Sequence, residues 1–313
     1  MNQSHQHIAD SRSRTAPKDP SLTALVLGGG GSAGNAWLIG VLAGLCEAGL
    51  DVAGADLIIG TSAGATTAAQ IAGAAPAELL ASVLAASPPP QTGSLGSYRA
   101  PFSVQSASNQ MEATSAIIAA SEDAADMRRR LGAWAREMEA TSDSSVQARW
   151  RSTVAARLPS QRWPQRRMLI TAVDADTGEP VVFDRHSGVD LPDAVAASCS
   201  SGFAYLIGGS RYIDGGYRTN ADNADLAAGH AQVLVLSPLG GRSRTPAQWG
   251  THLATQVEQL RARGSRVETV LPDCDSRAAF GDNMMDLSAR PPAALAGHNQ
   301  GRALAEQLTE FWR

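Results

Sequence analysis

Two glycine-rich stretches carry the chemistry that this chain has to offer: "GGGGSAG" at residues 28–34 and "GTSAG" at residues 60–64. The second has the pattern G-x-S-x-G, with Ser62 between Gly60 and Gly64, directly after the apolar run "LIIG" and directly before a run of small helix formers that starts at Ala63. A serine on a sharp strand-to-helix turn is exposed for nucleophilic attack, and flanking glycines remove the side chains that would block so tight a turn. The helix that follows aims its N-terminus at the serine and favours negative charge developing there. As a plain helix N-cap, Ser62 would account for the helix start but not for the paired glycines. It is the candidate nucleophile.

The first stretch satisfies G-x-G-x-x-G through Gly29, Gly31 and Gly34. A dinucleotide site also needs an acidic residue at the end of the second strand. Here Asp51 and Asp56 precede that strand, and its end is taken by the serine turn. A phosphate loop would need a terminal Gly-Lys-Ser/Thr, which is missing. The remaining use of exposed backbone N–H groups is to hold an oxyanion, where each donor is worth about 3 kcal/mol. The expected donors are Gly29, Gly30 and Gly31 from the loop and Ala63 from the serine turn.

A serine hydroxyl needs a proton acceptor. Among the histidines, His298 has the late position of an α/β-hydrolase triad, yet "ALAGHNQG" around it does not read as a strand-end loop. Asp214 in "RYIDGGYRTN" is the better candidate. It ends a short apolar strand, and Gly215 and Gly216 let the chain turn sharply there. Read alone, Asp-Gly-Gly is also an ordinary turn.

These residues must be positioned by a scaffold. "LTALVL" is a short strand closed by glycines, "NAWLIGVLAGLCEAGL" a helix with apolar positions at helical spacing, "ADLIIG" a second strand and "SAGATTAAQIAGAA" a second helix. This order implies parallel strands with crossover helices, so both glycine motifs open on one edge of the sheet. Composition shifts at "SPPPQTGSLGS", residues 87–97, and residues 85–165 read as a helical insertion capping the sheet, with a stripe through Ile117, Leu131, Trp134 and Met138. Leu95, Phe102, Ile117 and Ile118 would line an acyl pocket beneath it. Strands resume with "MLITAVDADTG" and "PVVFD", an antiparallel pair turning at Thr177–Gly178. A helix "DLPDAVAASCS", the strand "RYIDGG", the buried strand "AQVLVLSPL", a long amphipathic helix "TPAQWGTHLATQVEQLRARG", a last strand "RVETVLPD" and a closing helix follow. The expectation is one three-layer α/β/α domain over residues 21–313 with a mainly parallel sheet, behind a disordered tail at 1–20.

G-G-G-x-x-G at Gly29–Gly34, G-T-S-A-G at Gly60–Gly64 and D-G-G at Asp214–Gly216, in that order, resemble the motifs of the patatin-like phospholipases. The similarity extends to "AVAASCSSGFAY" and "NADLAAGHAQVLVLSPL" and covers residues 22–75 and 165–240. It implies a Ser62–Asp214 dyad, an oxyanion hole from the first glycine loop and hydrolysis of lipid acyl esters. Two departures stand out. Ala33 occupies a position where the family often has arginine, and the proline usual near "SSGFA" is absent. The first removes a cationic contact, but backbone amides do not depend on that side chain. A catalytically weak or inactive lipid-binding relative is the alternative.

Composition narrows the rest. Across 313 residues the formal net charge is −4, which gives no basic surplus for nucleic acid. Cys46, Cys199 and Cys274 lack metal-ligand spacing, and neither metal nor organic cofactor is expected. No apolar run reaches eighteen residues and the first twenty hold no signal-like apolar core, so the expectation is a cytoplasmic protein. The arginines at 128–130, 162, 166 and 167 would make transient contact with anionic membrane surfaces or simply form a solvated face.

Overall fold

The computed structural model describes residues 22–86, 104–140 and 145–312. The expected tail at 1–20, the linker at 87–97 and the pocket candidates Leu95 and Phe102 lie outside the described residues.

In chain order the elements are β1 (Thr23–Leu27), α1 (Gly31–Glu47), β2 (Leu57–Gly60), α2 (Ala63–Ile71), α3 (Pro76–Ala85), α4 (Val104–Ala119), α5 (Ala124–Ala140) and α6 (Ser145–Ala155). Then come β3 (Arg167–Asp174), β4 (Pro180–Phe183), α7 (Leu191–Ser198), β5 (Tyr205–Ile207), β6 (Ser210–Asp214) and β7 (Gln232–Leu236). The chain closes with α8 (Leu253–Ala262), β8 (Arg266–Val270), α9 (Cys274–Phe280) and α10 (Arg290–Trp312). The fold is mixed α/β with a mainly parallel central sheet between helices. Strand order is β5-β6-β3-β2-β1-β7-β8, with β4 on β3. The run β3-β2-β1-β7-β8 is parallel, and β4, β5 and β6 are antiparallel additions.

Alternation along β1 divides the core. Leu25 and Leu27 face α1, α3 and α10, whereas Ala24 and Val26 join Val233, Val235, Leu253 and Val257 on the α8 side. Fourteen residues of α1 are buried, because α10 crosses it at backbone contact. A Cβ on Gly40 would lie 2.1 Å from the Ala294 carbonyl oxygen, and one on Gly44 2.2 Å from that of His298. Small residues at these crossings let two helices approach more closely than side chains allow.

Two registers position the site. Leu27 pairs with Gly60 on one side and Leu236 on the other, so β1, β2 and β7 end level and their outgoing loops leave side by side. The second register runs through β3. Its residue Ile170 pairs with both Gly60 of β2 and Phe183 of β4, so these lie on opposite edges. Ala172 pairs with both Val181 of β4 and Asp214 of β6, so β6 shares the β2 edge. Since β2 is parallel and β6 antiparallel to β3, the two run at each other and end almost head to head. Gly60 and Asp214 are thereby set two positions apart along one strand.

Two expectations are corrected, and two short elements are new. The helix expected from residue 245 begins only at Leu253, since Gly250, at φ 67°, ends a short 3-10 turn at Ala247–Trp249. Helix α1 begins at Gly31, ahead of its apolar stripe, because the glycine loop itself winds into the first turn. Strand β5 and helix α9 had no clear sequence signal, being three and seven residues long. Within 85–165 the described residues form α4, α5 and α6. Of the stripe, Leu131 is buried with Met127 and Ala135 against Val173 and Ile213.

Candidate active site

Ser62 sits at φ 52°, ψ −114°, a conformation L-residues rarely adopt, between the end of β2 and the start of α2. The turn can be this tight because its glycines lie against backbone. A Cβ on Gly64 would fall 1.9 Å from the Leu27 carbonyl oxygen, and one on Gly60 2.6 Å from Ala65 Cα. The strained serine is held from three sides. The Thr61 N–H donates to Leu27 O at 3.1 Å, the Ser62 N–H to Ser198 Oγ at 2.9 Å, and the Cys199 thiol to Ser62 O at 3.2 Å.

The Ser62 hydroxyl donates to Asp214 Oδ2 at 2.9 Å. The other carboxylate oxygen, Oδ1, accepts the Gly216 N–H at 2.8 Å, and the Asp214 N–H donates to Ser200 O at 2.9 Å. Burial pushes the Asp214 carboxyl up to about 6, against the lowering effect of these hydrogen bonds and of the Arg244 charge. The side chain is 7% exposed. Gly215 is required beneath it, where a Cβ would strike Thr171 Oγ1 at 2.1 Å. Thr171 donates to Thr61 Oγ1 at 3.0 Å, and Asn223 Nδ2 donates to Thr61 Oγ1 at 3.0 Å and to Gly215 O at 2.9 Å. This buried network ties the serine turn to the aspartate turn.

The glycine loop lies beside the serine. A Cβ on Gly29 would lie 3.5 Å from Ser62 Cβ. Its N–H, however, is committed to Ala221 O at 2.8 Å. The expectation that Gly29 would supply an oxyanion donor is corrected accordingly. The N–H groups of Gly30, Gly31 and Ala63 take no acceptor among the described residues, as suits the first turns of α1 and α2. Gly34 serves packing: its N–H bonds Gly30 O at 2.9 Å, and a Cβ there would press on Pro238 at 3.0 Å.

The chain belongs to the patatin-like phospholipase family. Its family model, "Patatin-like phospholipase", matches residues 25–227, which contain both glycine motifs and the aspartate turn. Members of this family are lipid acyl hydrolases. No curated protein matches the chain. Among solved structures it is similar to the crystal structure of the type III effector protein ExoU, with 17% identity over 92% of this chain and a TM-score of 0.32. The chain spans 54% of the length of that structure.

His298, the alternative base, lies on α10 with Nε2 against Glu47 Oε2 at 2.7 Å, at the α1–α10 contact and away from the patatin motifs. His230 is buried near Ala227, and His252 faces Thr245 O. Sequence reasoning missed several residues around the site. Ser198 and Cys199 brace the serine from the end of α7; they lie in the stretch "AVAASCSSGFAY" that shares the family resemblance, but nothing in it assigns them that role. Met284 and Met285 lie over the glycine loop: Met284 O accepts the Ala33 N–H at 2.9 Å, and a Cβ on Gly31 would meet Met285 Sδ at 2.7 Å. Nothing in "DNMMDL" announces that placement. The Cys199 thiol is pushed up to about 12 by burial and by the Asp214 charge, which keeps it un-ionised beside the serine. No helix among the described residues is long and apolar enough to cross a membrane.

Proposed function

We propose that this protein hydrolyses acyl esters of lipids by covalent catalysis with Ser62 as nucleophile and Asp214 as the base. The observation that carries the reading is the 2.9 Å hydrogen bond from Ser62 Oγ to Asp214 Oδ2, made by a serine in a strained turn beside open backbone amides.

The Ser62 oxygen attacks the acyl carbonyl carbon while its proton passes to Asp214 Oδ2. The tetrahedral oxyanion rests on the N–H groups of Gly30, Gly31 and Ala63. The ester C–O bond then breaks, and Asp214 returns the proton to the leaving alcohol oxygen. Water attacks the acyl-serine by the same route in reverse order of partners. A carboxylate is intrinsically a weak base toward an alcohol. Burial that raises Asp214 to about 6 narrows the mismatch, and donors preset for the oxyanion supply the remaining stabilisation. With the proton acceptor on the end of β6 and the nucleophile on the end of β2, no histidine is needed. The phospholipase, lysophospholipase or esterase subtype follows from what the surrounding helices admit, with α4 and α5 as the cap.

The test is active-site labelling with an alkyl fluorophosphonate alongside hydrolysis of aryl esters from acetate to palmitate. Label on Ser62, with turnover lost in Ser62→Ala and Asp214→Ala, is the expected result. A chain that binds lipid but takes no label and turns over no ester or phospholipid would overturn the reading in favour of a binding protein. Turnover that survives Asp214→Ala but not His298→Ala would assign the base to His298 instead.

A further inference from the structure

The loop that follows β7 is fastened on both sides of the dyad. Near its start, Pro238 packs on the glycine loop, where a Cβ on Gly30 would lie 2.5 Å from Pro238 Cβ. Past its far end, Thr251 O accepts Asn220 Nδ2 at 2.6 Å, and Asn220 Oδ1 in turn holds the N–H groups of Asp222 and Asn223 in the segment that leaves Asp214. Between these anchors stands Arg244. Its Nη1 reaches across to α4, donating to Thr114 Oγ1 at 2.7 Å and to Ser115 Oγ at 3.2 Å. It also lies 3.2 Å from Met111 Sδ and 3.5 Å from Met111 O.

Three features separate Arg244 from an ordinary surface arginine. It forms no ion pair with any carboxylate among the described residues, unlike Arg130, Arg136, Arg151, Arg211 and Arg218. Its hydrogen bonds to α4 all use one nitrogen, Nη1, and its remaining protein partner is the Tyr217 hydroxyl, which is neutral as well. Its charge is felt at the dyad, where it favours the ionised form of Asp214, and at Tyr217, three residues further on. The guanidinium is thus held by neutral groups alone, on an exposed residue whose charge acts on Asp214. A planar fork of N–H donors without a carboxylate is the recognition unit for a phosphate or carboxylate oxyanion.

We propose that Arg244 determines substrate selectivity by binding an anionic group, phosphate or carboxylate, carried on the alcohol portion of the acyl ester. The site therefore prefers esters whose leaving alcohol is negatively charged over neutral esters with the same acyl chain. This inference rests on the hydrolase reading for its kinetic consequence but has a binding consequence of its own.

The experiment compares three oleoyl esters: 1-oleoylglycerol, 1-oleoylglycerol 3-phosphate and 2-oleoyloxypropanoate. The readout is the ratio of kcat/KM for each anionic ester to that for the neutral one, in wild type, Arg244→Gln and Arg244→Lys. Because effects transmitted through Asp214 act on all three esters, the ratio isolates recognition of the anion. The ratio is expected to exceed unity in wild type, to fall about 10- to 100-fold in Arg244→Gln, as loss of charge-assisted hydrogen bonds implies, and to recover in part in Arg244→Lys. The larger of the two anionic ratios tells phosphate from carboxylate. In parallel, the same lipids are titrated into Ser62→Ala and Ser62→Ala/Arg244→Gln, with weaker binding of the anionic esters alone expected in the double variant. Turnover with unchanged ratios overturns this inference and leaves the hydrolase reading standing. Selective anion binding by Ser62→Ala without turnover by wild type does the reverse. Equal losses on all three esters would make Arg244 a structural tie to α4.

Discussion

The serine turn and the helices α4 and α6 are held by different means. Around Ser62 the contacts are between backbones: Gly64 lies against Leu27 O, Gly215 against Thr171, and Thr61, Thr171 and Asn223 close a buried hydrogen-bond network. Helices α4 and α6 are attached mostly through side chains at their rims. Gln110 Nε2 donates to Ser201 Oγ at 3.0 Å, Trp150 Nε1 to Ala196 O at 3.0 Å, and Arg151 pairs with Asp193 at 2.9 Å. Only Val154 is buried in α6, against fourteen residues in α1. Backbone packing has one solution and tolerates no added atom, whereas partly buried side-chain contacts can be exchanged at less cost. On the proposed function, the difference would suit a site whose reacting atoms need sub-ångström placement while the helices of the cap adapt to a long, flexible ligand.

The sharpest test of the rigid half is loss of chemistry without loss of fold. Ser62→Ala and Asp214→Asn should each lower kcat by about 10³- to 10⁶-fold, the scale seen when a nucleophile or its base is removed, with melting temperature little changed. On the proposed mechanism, Asp214 must be ionised to accept the proton. Because burial raises it to about 6, kcat/KM should climb as pH rises through about 6 and level off above it. An acidic limb centred near the ordinary carboxylate value would contradict the desolvated environment.

Packing at the turn is probed by Gly64→Ala. With the new Cβ directed to 1.9 Å from Leu27 O, β1 and α2 would have to part, and a loss above about 4 kcal/mol is expected, visible as insolubility or a collapsed denaturation midpoint. A well-folded Gly64→Ala enzyme would break the contrast between the two regions.

Asp222 measures the cost of a buried charge beside the same loop. It is 2% exposed, its Oδ1 has no partner among the described residues, and a Cβ on Gly28 would lie 2.2 Å from that oxygen. Burial pushes it up to about 7 from 3.8, against the lowering effect of the Ser237 hydroxyl. A carboxyl whose folded value exceeds its unfolded one costs no stability below the unfolded value. The penalty grows as pH rises between the two and is complete above the folded value. Asp222→Asn should therefore gain on wild type as pH rises from 4 to 8, by at most about 4 kcal/mol at 1.36 kcal/mol per unit. Parallel stability-versus-pH curves would refute this. At the small end, Gln110→Ala deletes one rim hydrogen bond of α4 and should cost about 1 kcal/mol or less, with any kinetic change confined to KM for long acyl chains. A loss like that of Gly64→Ala would place α4 with the rigid half.

Much of this molecule is legible from local pattern. The apolar runs of β1, β2 and β7, the strand-to-helix position of Ser62 and the antiparallel β3–β4 turn follow from periodicity and turn residues. They depend only on neighbours in the chain. What was not legible depends on separation in sequence. "TPAQWGTHLATQVEQLRARG" reads as one helix until Gly250 adopts a left-handed turn within its tertiary context. Gly29 looks like an oxyanion donor until Ala221, from a loop nearly two hundred positions later, takes its N–H. Arg244 and the Met284–Met285 pair carry no motif, and only the ends of β7 and α9 deliver them to the sheet edge.

The sequence by itself determined the chemistry available: a serine between glycines, a loop rich in free amides and an aspartate on a glycine turn, each dictated by residues within a few positions of one another. Tertiary structure alone decided that the serine and the aspartate meet, because β2 and β6 share one edge of β3 and run toward each other, so that residues 152 positions apart come within 2.9 Å. It also decided how basic that aspartate is, since desolvation is a property of everything packed around a group and not of the residues beside it in the chain.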